Sequence, residues 1–187
     1  MPISYATWNP SDKNANVTLS GWNLTAAVAS WTTHYAARGT IWKSTGKWYW
    51  EVTIVSNVGT VLIGVGNSSM SLANNSYVWS DINGWAYHIN WTKYNNAWAT
   101  AYGATYANGD VIWVALDMDA WTIVMYKNNT SQWTMFSSLT GTLFPAISLY
   151  WASSLTANFG ATTFTYSPPA WFSWLSTWTP DWFPMFF

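Results

Sequence analysis

Gly109-Asp110-Val111-Ile112-Trp113-Val114-Ala115-Leu116-Asp117-Met118-Asp119-Ala120-Trp121-Thr122-Ile123-Val124-Met125-Tyr126-Lys127 decides the fold of this chain. Two apolar runs, Asp110 to Asp117 and Thr122 to Lys127, flank a short break at Met118 to Trp121. β-branched side chains suit a pleated, half-buried surface, and Asp is a favoured turn residue. The stretch reads as a β-hairpin. Only Trp121 is out of place, because a tight turn asks for glycine first and Asn or Asp second.

The same grammar extends in both directions. In Lys47-Trp48-Tyr49-Trp50-Glu51-Val52-Thr53-Ile54-Val55, strict alternation puts Trp48, Trp50, Val52 and Ile54 on one face, the side expected to form core. Thr60 to Gly66, Leu143 to Tyr150 and Leu155 to Phe159 read as further strands. Weaker ones are expected at Asn16–Leu19, Leu24–Ala29, His34–Ile41 and Gly84–Asn90. Helical periodicity is nearly absent, and turn residues recur at Ser44-Thr45-Gly46, Ala107-Asn108-Gly109 and Asn128-Asn129. Many short strands with frequent turns predict an all-β fold, a β-sandwich of two antiparallel sheets. The Ser- and Asn-rich stretch from Asn67 to Asn83 is expected to be a surface loop, and long loops of this kind are commonly functional. After Pro168-Pro169 the pattern dissolves into an aromatic tail without a period, so residues 1–168 are expected to form the sandwich and 169–187 a poorly ordered tail.

Composition narrows the chemistry. The 187 residues carry 7% charged side chains against roughly 25% in a typical soluble domain, and a net charge of -1. Lys13, Arg38, Lys43, Lys47, Lys93 and Lys127 are the only cations besides histidine, too few to neutralise a phosphate backbone, so nucleic acid is not an expected partner. No apolar stretch approaches the roughly 18 residues of a membrane-spanning helix, and Met1 to Tyr5 shows no signal-peptide pattern. There is no cysteine, which excludes disulfides and cysteine-based zinc sites and leaves the compartment open.

Four stretches, in order, carry a family resemblance. Gly46-Lys47-Trp48-Tyr49-Trp50-Glu51-Val52 resembles the G-K-x-Y-x-E-V strand of SPRY domains, and Ile63-Gly64-Val65-Gly66 resembles the x-G-V-G strand that follows. Gly109 to Ile123 is similar to the family hairpin G-D-V-I-G-V-x-L-D-x-x-x-G-T-I, and Tyr126 to Asn129 to its F-x-K-N-G continuation. Leu143 to Leu149 resembles L-Y-P-A-V-S-L, and Asn158-Phe159-Gly160 the closing N-F-G. The resemblance implies a concanavalin-like sandwich and a non-enzymatic module that recognises a protein or peptide through loops at one end. Analogy with phage-type members suggests a structural or tail protein on a virion or extracellular surface. A lectin-like, carbohydrate-binding module is the alternative.

The departures from the family pattern are systematic. Trp113 and Trp121 stand where the family has glycine, and the same exchange is expected at Trp42, Trp79, Trp98 and Trp171. Trp48, Trp50 and Trp85 stand where aromatics belong, and Trp8 is read the same way. Trp22, after Gly21, and Trp133, after a polar run, also fall in turn settings. A non-glycine residue in the left-handed region costs about 1–2 kcal/mol. A handful of such sites would rival the ~5–15 kcal/mol stability of a whole domain. One shared cause is simpler than many independent exchanges: a UGA codon meant as glycine and rendered here as tryptophan.

Residues suited to catalysis are scarce. A glycosidase needs two carboxylates across a cleft, whereas Glu51 lies in a strand and Asp117 and Asp119 in a turn. Two acids are too few for a calcium site, and His34 and His88 have no nucleophile in a recognisable setting. No metal, cofactor or catalytic residue is therefore expected. Tyrosine offers a large contact area at low entropic cost. Tyr77, Tyr87, Tyr94 and Tyr102 flank loops and are the expected partner contacts, with Asn74, Asn75 and Asp81 of the long loop adding polar ones.

Overall fold

The computed structural model describes residues 4–29 and 33–177. Its strands are β1 (Trp8–Lys13), β2 (Thr18–Ser20), β3 (Thr25–Ala27), β4 (His34–Gly39), β5 (Lys47–Ser56), β6 (Thr60–Gly66), β7 (Gly84–His88), β8 (Asn90–Asn95), β9 (Trp98–Thr105), β10 (Val111–Asp117), β11 (Thr122–Lys127), β12 (Thr130–Phe136), β13 (Phe144–Tyr150), β14 (Ser154–Asn158) and β15 (Ser173–Trp174). They form two sheets. One runs β1-β4-β13-β6-β7-β8-β9, the other β12-β11-β10-β5-β14-β3-β2, with β15 added alongside β5. Every pairing is antiparallel except β15 with β5. Among the described residues no helix is long and apolar enough to cross a membrane.

The expected hairpin is β10–β11, in continuous register from Ile112↔Lys127 to Asp117↔Thr122. Asp117 builds its turn: Oδ1 accepts the N–H groups of Asp119 and Ala120, and Oδ2 pairs with Lys47 Nζ. Burial pushes the Asp117 pKa up, but these donors outweigh it and hold the carboxyl below its ordinary value. Asp119 Oδ1 accepts the Gly46 N–H. Both acids thus serve the turn. β8–β9 is a second tight hairpin, in which Asn96 and Ala97 take φ of 50° and 62° between Asn95 and Trp98, as a two-residue turn requires. Five strands escape the alternation rule: β1, β8, β9, β12 and the two-residue β15. β1 and β9 end one sheet and β12 ends the other, and Pro10 in β1 fits such an edge, where a missing N–H costs least.

The core lies between the sheets. Trp48, Trp50, Val52 and Ile54 of β5 are buried there with Trp8, Ile63, Tyr87, Ile112, Leu116 and Phe159. The middle of the other face of β5, Tyr49 and Glu51, is buried too, which alternation does not predict. Tyr49 packs with Trp113 and Ala115 under Phe164, Tyr166 and Phe172 of the C-terminal segment. Glu51 fastens that cover: it accepts the Tyr49 hydroxyl (2.8 Å) and the N–H groups of Thr165 (2.8 Å) and Tyr166 (2.7 Å). Burial, and then the Glu51 contact, raises the Tyr49 pKa well above the tyrosine range.

The same segment reaches past the expected boundary at residue 168, with Ser173, Trp174 and Ser176 paired to the sandwich. β15 pairs with Trp48 and Tyr49, Leu175 is buried, and Tyr5 bridges Ser176. The Thr177 N–H donates to the Ser4 carbonyl at 2.8 Å, so the two ends of the described chain lie side by side. A two-residue strand has no period to read, which is why the sequence hides it. The remainder of the expected tail, residues 178–187, lies outside the described residues.

Glu51→Ala leaves the part-buried N–H groups of Thr165 and Tyr166 without their acceptor and leaves the Tyr49 hydroxyl only its longer bond to the Tyr166 carbonyl. We expect a loss of about 2–4 kcal/mol in urea unfolding, because an unsatisfied donor away from water costs about 1–3 kcal/mol, and early proteolytic cleavage between residues 160 and 177.

Candidate functional site

The segment from Asn67 to Asn83 lies across the outer face of the first sheet. Leu62, Ala86, Ala146 and Ala36 of that sheet pack under its Met70 and Val78. Gly84 permits the approach, since a Cβ there would fall 1.4 Å from the Val78 carbonyl oxygen. Buried Arg38 is the main staple. It pairs with Asp12 at 2.7 Å and donates through Nη1 to the carbonyls of Asn67 (3.0 Å) and Met70 (2.7 Å). Asn14 Nδ2 donates to the Leu72 carbonyl and to Asn74 Oδ1, and the Val78 N–H donates to Ser148 Oγ. The loop is therefore fixed at both ends and in the middle.

This fastening places Tyr77 and Trp79 among half-buried rings of the sheet. Tyr150 and His34 are cross-strand neighbours and stack at 4.7 Å between centroids. Tyr77 meets His34 at 4.0 Å. The Trp79 ring is held nearly parallel between Tyr77 (4.6 Å, 28°) and Tyr94 (4.4 Å, 24°), and His88 follows Tyr94 at 5.5 Å. Six rings from β4, β13, the long loop, β8 and β7 thus make one ribbon on the surface. His34 Nδ1 and Trp79 Nε1 are buried in it without a hydrogen-bond partner among the described residues. Burial, and next the nearby His88, pushes the His34 pKa down to about 4; burial also lowers that of His88, against the opposing hydrogen bond with Asn90.

The sequence-predicted contacts divide. Tyr77 and Tyr94 belong to the ribbon. Asn74 and Asn75 are exposed beside it. Asn74 accepts from Asn14, and Asn75, at φ 61°, accepts from the hydroxyls of Thr33 and Tyr77. Asp81 is half-buried and accepts the Asn83 N–H through Oδ1 and the Asn96 N–H through its carbonyl. Tyr87 and Tyr102 are corrections. They are 0% and 8% exposed and meet edge to face inside the sandwich, not on its surface. Strand parity is the reason: Trp85 and Tyr87 of β7 point inward, leaving His88 on the outer face. The Tyr87 hydroxyl donates to the Ala104 carbonyl, and burial pushes its pKa up to about 12. Tyr102 donates to the Trp133 carbonyl and accepts the Met125 N–H. The sequence reading missed His34, His88 and Tyr150 as parts of one surface, because only the strand order brings them together.

Elsewhere, a groove of about 630 Å³ runs along residues 160–168 and Trp174. Its lining holds no acid, lysine, arginine or histidine. Among the described residues no three His, Asp or Glu converge into a potential metal site.

Comparison with known proteins agrees with this geometry. The sequence profile of the SPRY domain matches residues 47–162. The chain belongs to the SPRY domain family. It is 27% identical to Ran-binding protein 10 of Danio rerio over 86% of its own length, and 26% identical to the E3 ubiquitin-protein ligase TRIM9 of Drosophila melanogaster over 79%. It spans only 28% and 19% of those two proteins. Among solved structures, the SPRY domain of human HERC1 superposes with a TM-score of 0.69 at 19% identity, covering 83% of this chain and 99% of that one. Stonustoxin superposes at 0.67 and 19% identity, over 83% of this chain and 27% of its own.

The His34 pKa lies near 4 in the folded chain against an ordinary 6.5, so the unfolded chain takes up the proton first as pH falls. Stability present above about pH 6.5 is then lost progressively towards pH 4. The urea midpoint should drop between pH 7 and pH 4.5, and His34→Phe, which keeps a ring between Tyr77 and Tyr150, should flatten part of that drop.

Proposed function

We propose that this chain is a non-enzymatic recognition module whose ligand is a protein or peptide, bound on the face formed by the long loop and β8. One observation carries the reading: Tyr77 and Tyr94, from separate segments, stack on either side of the Trp79 indole to make a preordered, partly exposed aromatic surface. The exposed edges of such a stack suit an aromatic, proline or guanidinium group of a peptide, and aromatic anchors commonly dominate such interfaces. Asn74, Asn75 and Asp81 stand beside them as polar rim. Membership of the SPRY family supports a binding role, as does the word "binding" in the name of the Danio rerio relative. The same reading takes the chain as a phage-type structural or tail protein, with its tryptophans at the family-glycine positions 113 and 121 arising from UGA. A carbohydrate ligand is the second reading, favoured by the same stacked rings, since sugar faces also stack on aromatics.

The test is selection of peptides on the immobilised chain from a random display library, followed by titration of the winners. Tyr77→Ala with Tyr94→Ala should weaken them by about 30-fold or more, the equivalent of a hot-spot loss of about 2 kcal/mol. Peptides that bind the double variant unchanged would place the site elsewhere, and hits on a glycan array with no selected peptide would favour the carbohydrate reading.

A further inference from the structure

Fourteen non-glycine residues of the described chain have positive φ, and six of them are tryptophan: Trp22 (59°), Trp91 (67°), Trp121 (56°), Trp133 (62°), Trp151 (48°) and Trp171 (73°). The other eight are Asn, Ala or Ser, small residues or ones that hydrogen-bond locally. Tryptophan has neither property. We propose that the polypeptide made by the source organism carries glycine at these six positions, and that their indoles are no part of its binding surface. The assignment comes from backbone geometry and goes beyond the family motifs, which mark only Trp121 of the six as a glycine position.

Each position has its own geometric demand. Pro169, Ala170, Trp171 and Phe172 form a turn closed by Phe172 N–H to the Pro169 carbonyl, with Trp171 third at φ 73°. A type II turn requires positive φ at that place and selects glycine. Trp22 and Asn23 are the two central residues of a turn closed by Leu24 N–H to the Gly21 carbonyl, both at positive φ. Trp91 sits where the β8–β9 register shifts, between Asn90↔Thr105 and Thr92↔Ala101. Trp133 sits where the β11–β12 register shifts, between Tyr126↔Ser131 and Val124↔Thr134. A bulge residue in the left-handed region is characteristically glycine. Trp121 ends the β10–β11 turn. Trp151 follows β13, and a Cβ on Gly59 would fall 2.6 Å from its Cβ.

Nothing in the packing compensates. The six residues are between 37% and 92% exposed. Among the described residues, Trp151 alone of the six has an aromatic neighbour, Tyr150, at 6.2 Å. The tryptophans at aromatic positions of the family behave oppositely. Trp8, Trp48, Trp50 and Trp85 are buried, none has positive φ, and the Nε1 atoms of Trp8 and Trp48 donate to the carbonyls of Leu24 and Thr45. The two groups stand apart, the tryptophans at aromatic positions building the core and the six occupying glycine geometry in solvent. Backbone angle does not extend the assignment to Trp42, Trp79, Trp98 or Trp113, which lack positive φ.

Two experiments decide it. Peptide mass spectrometry of the protein isolated from its own source, read at residues 121 and 133, should find glycine; tryptophan at either overturns the proposal. The recombinant chain with all six changed to glycine should unfold at a higher urea concentration than the chain as written and self-associate less, whereas Trp50→Gly should lower the midpoint. A six-glycine chain with an unchanged or lower midpoint also overturns it. Peptide binding at Tyr77 and Tyr94 is measured separately on the six-glycine chain, so failure of either idea leaves the other standing.

Discussion

The fold depends on the middle of β5 being buried on both faces and on the strand being paired along both edges. Its inward face supplies Trp48, Trp50, Val52 and Ile54 to the core. Its edges carry β10 on one side and β14 and then β15 on the other. Its outward face holds Tyr49 and Glu51 beneath the C-terminal segment. A strand so placed reads as continuously apolar in most proteins. Here an acid sits in the middle of it and survives because three donors converge on it. That carboxyl group links the central strand to a segment more than a hundred residues away.

Legibility followed period. The hairpin at residues 110–127 and the inward face of β5 could be read because each repeats a two-residue pattern over many positions. The SPRY resemblance rested on those same strands, and the two-sheet sandwich is the outcome. β15 could not be read, because two residues define no pattern. Tyr87 and Tyr102 were misplaced for a related reason: proximity to a loop says nothing about which face of a strand a residue occupies. Had the parity of Trp85 and Tyr87 been followed through β7, His88 would have emerged as the outward residue.

The ribbon shows a different limit. His34 and Tyr150 become neighbours through the pairing of β4 with β13, while His88 and Tyr94 arrive through β7 and β8. Sheet order is a non-local property, and no window of sequence contains it. The long loop could be recognised as a loop, yet its fixed path depends on Arg38 and Asn14, which lie far from it in the chain. A loop held this way has already lost much of its conformational entropy, so a partner that docks on it has less ordering cost to meet.

The hydrogen bond between Ser4 and Thr177 has an architectural consequence. The first and last described residues, Ser4 and Thr177, lie one backbone hydrogen bond apart. A domain closed in this manner can be spliced into a surface turn of another protein without prising that turn open, and its strands can be reordered by joining the ends and cutting elsewhere. The sandwich is thus a cassette, portable between polypeptides with its ring-lined face intact.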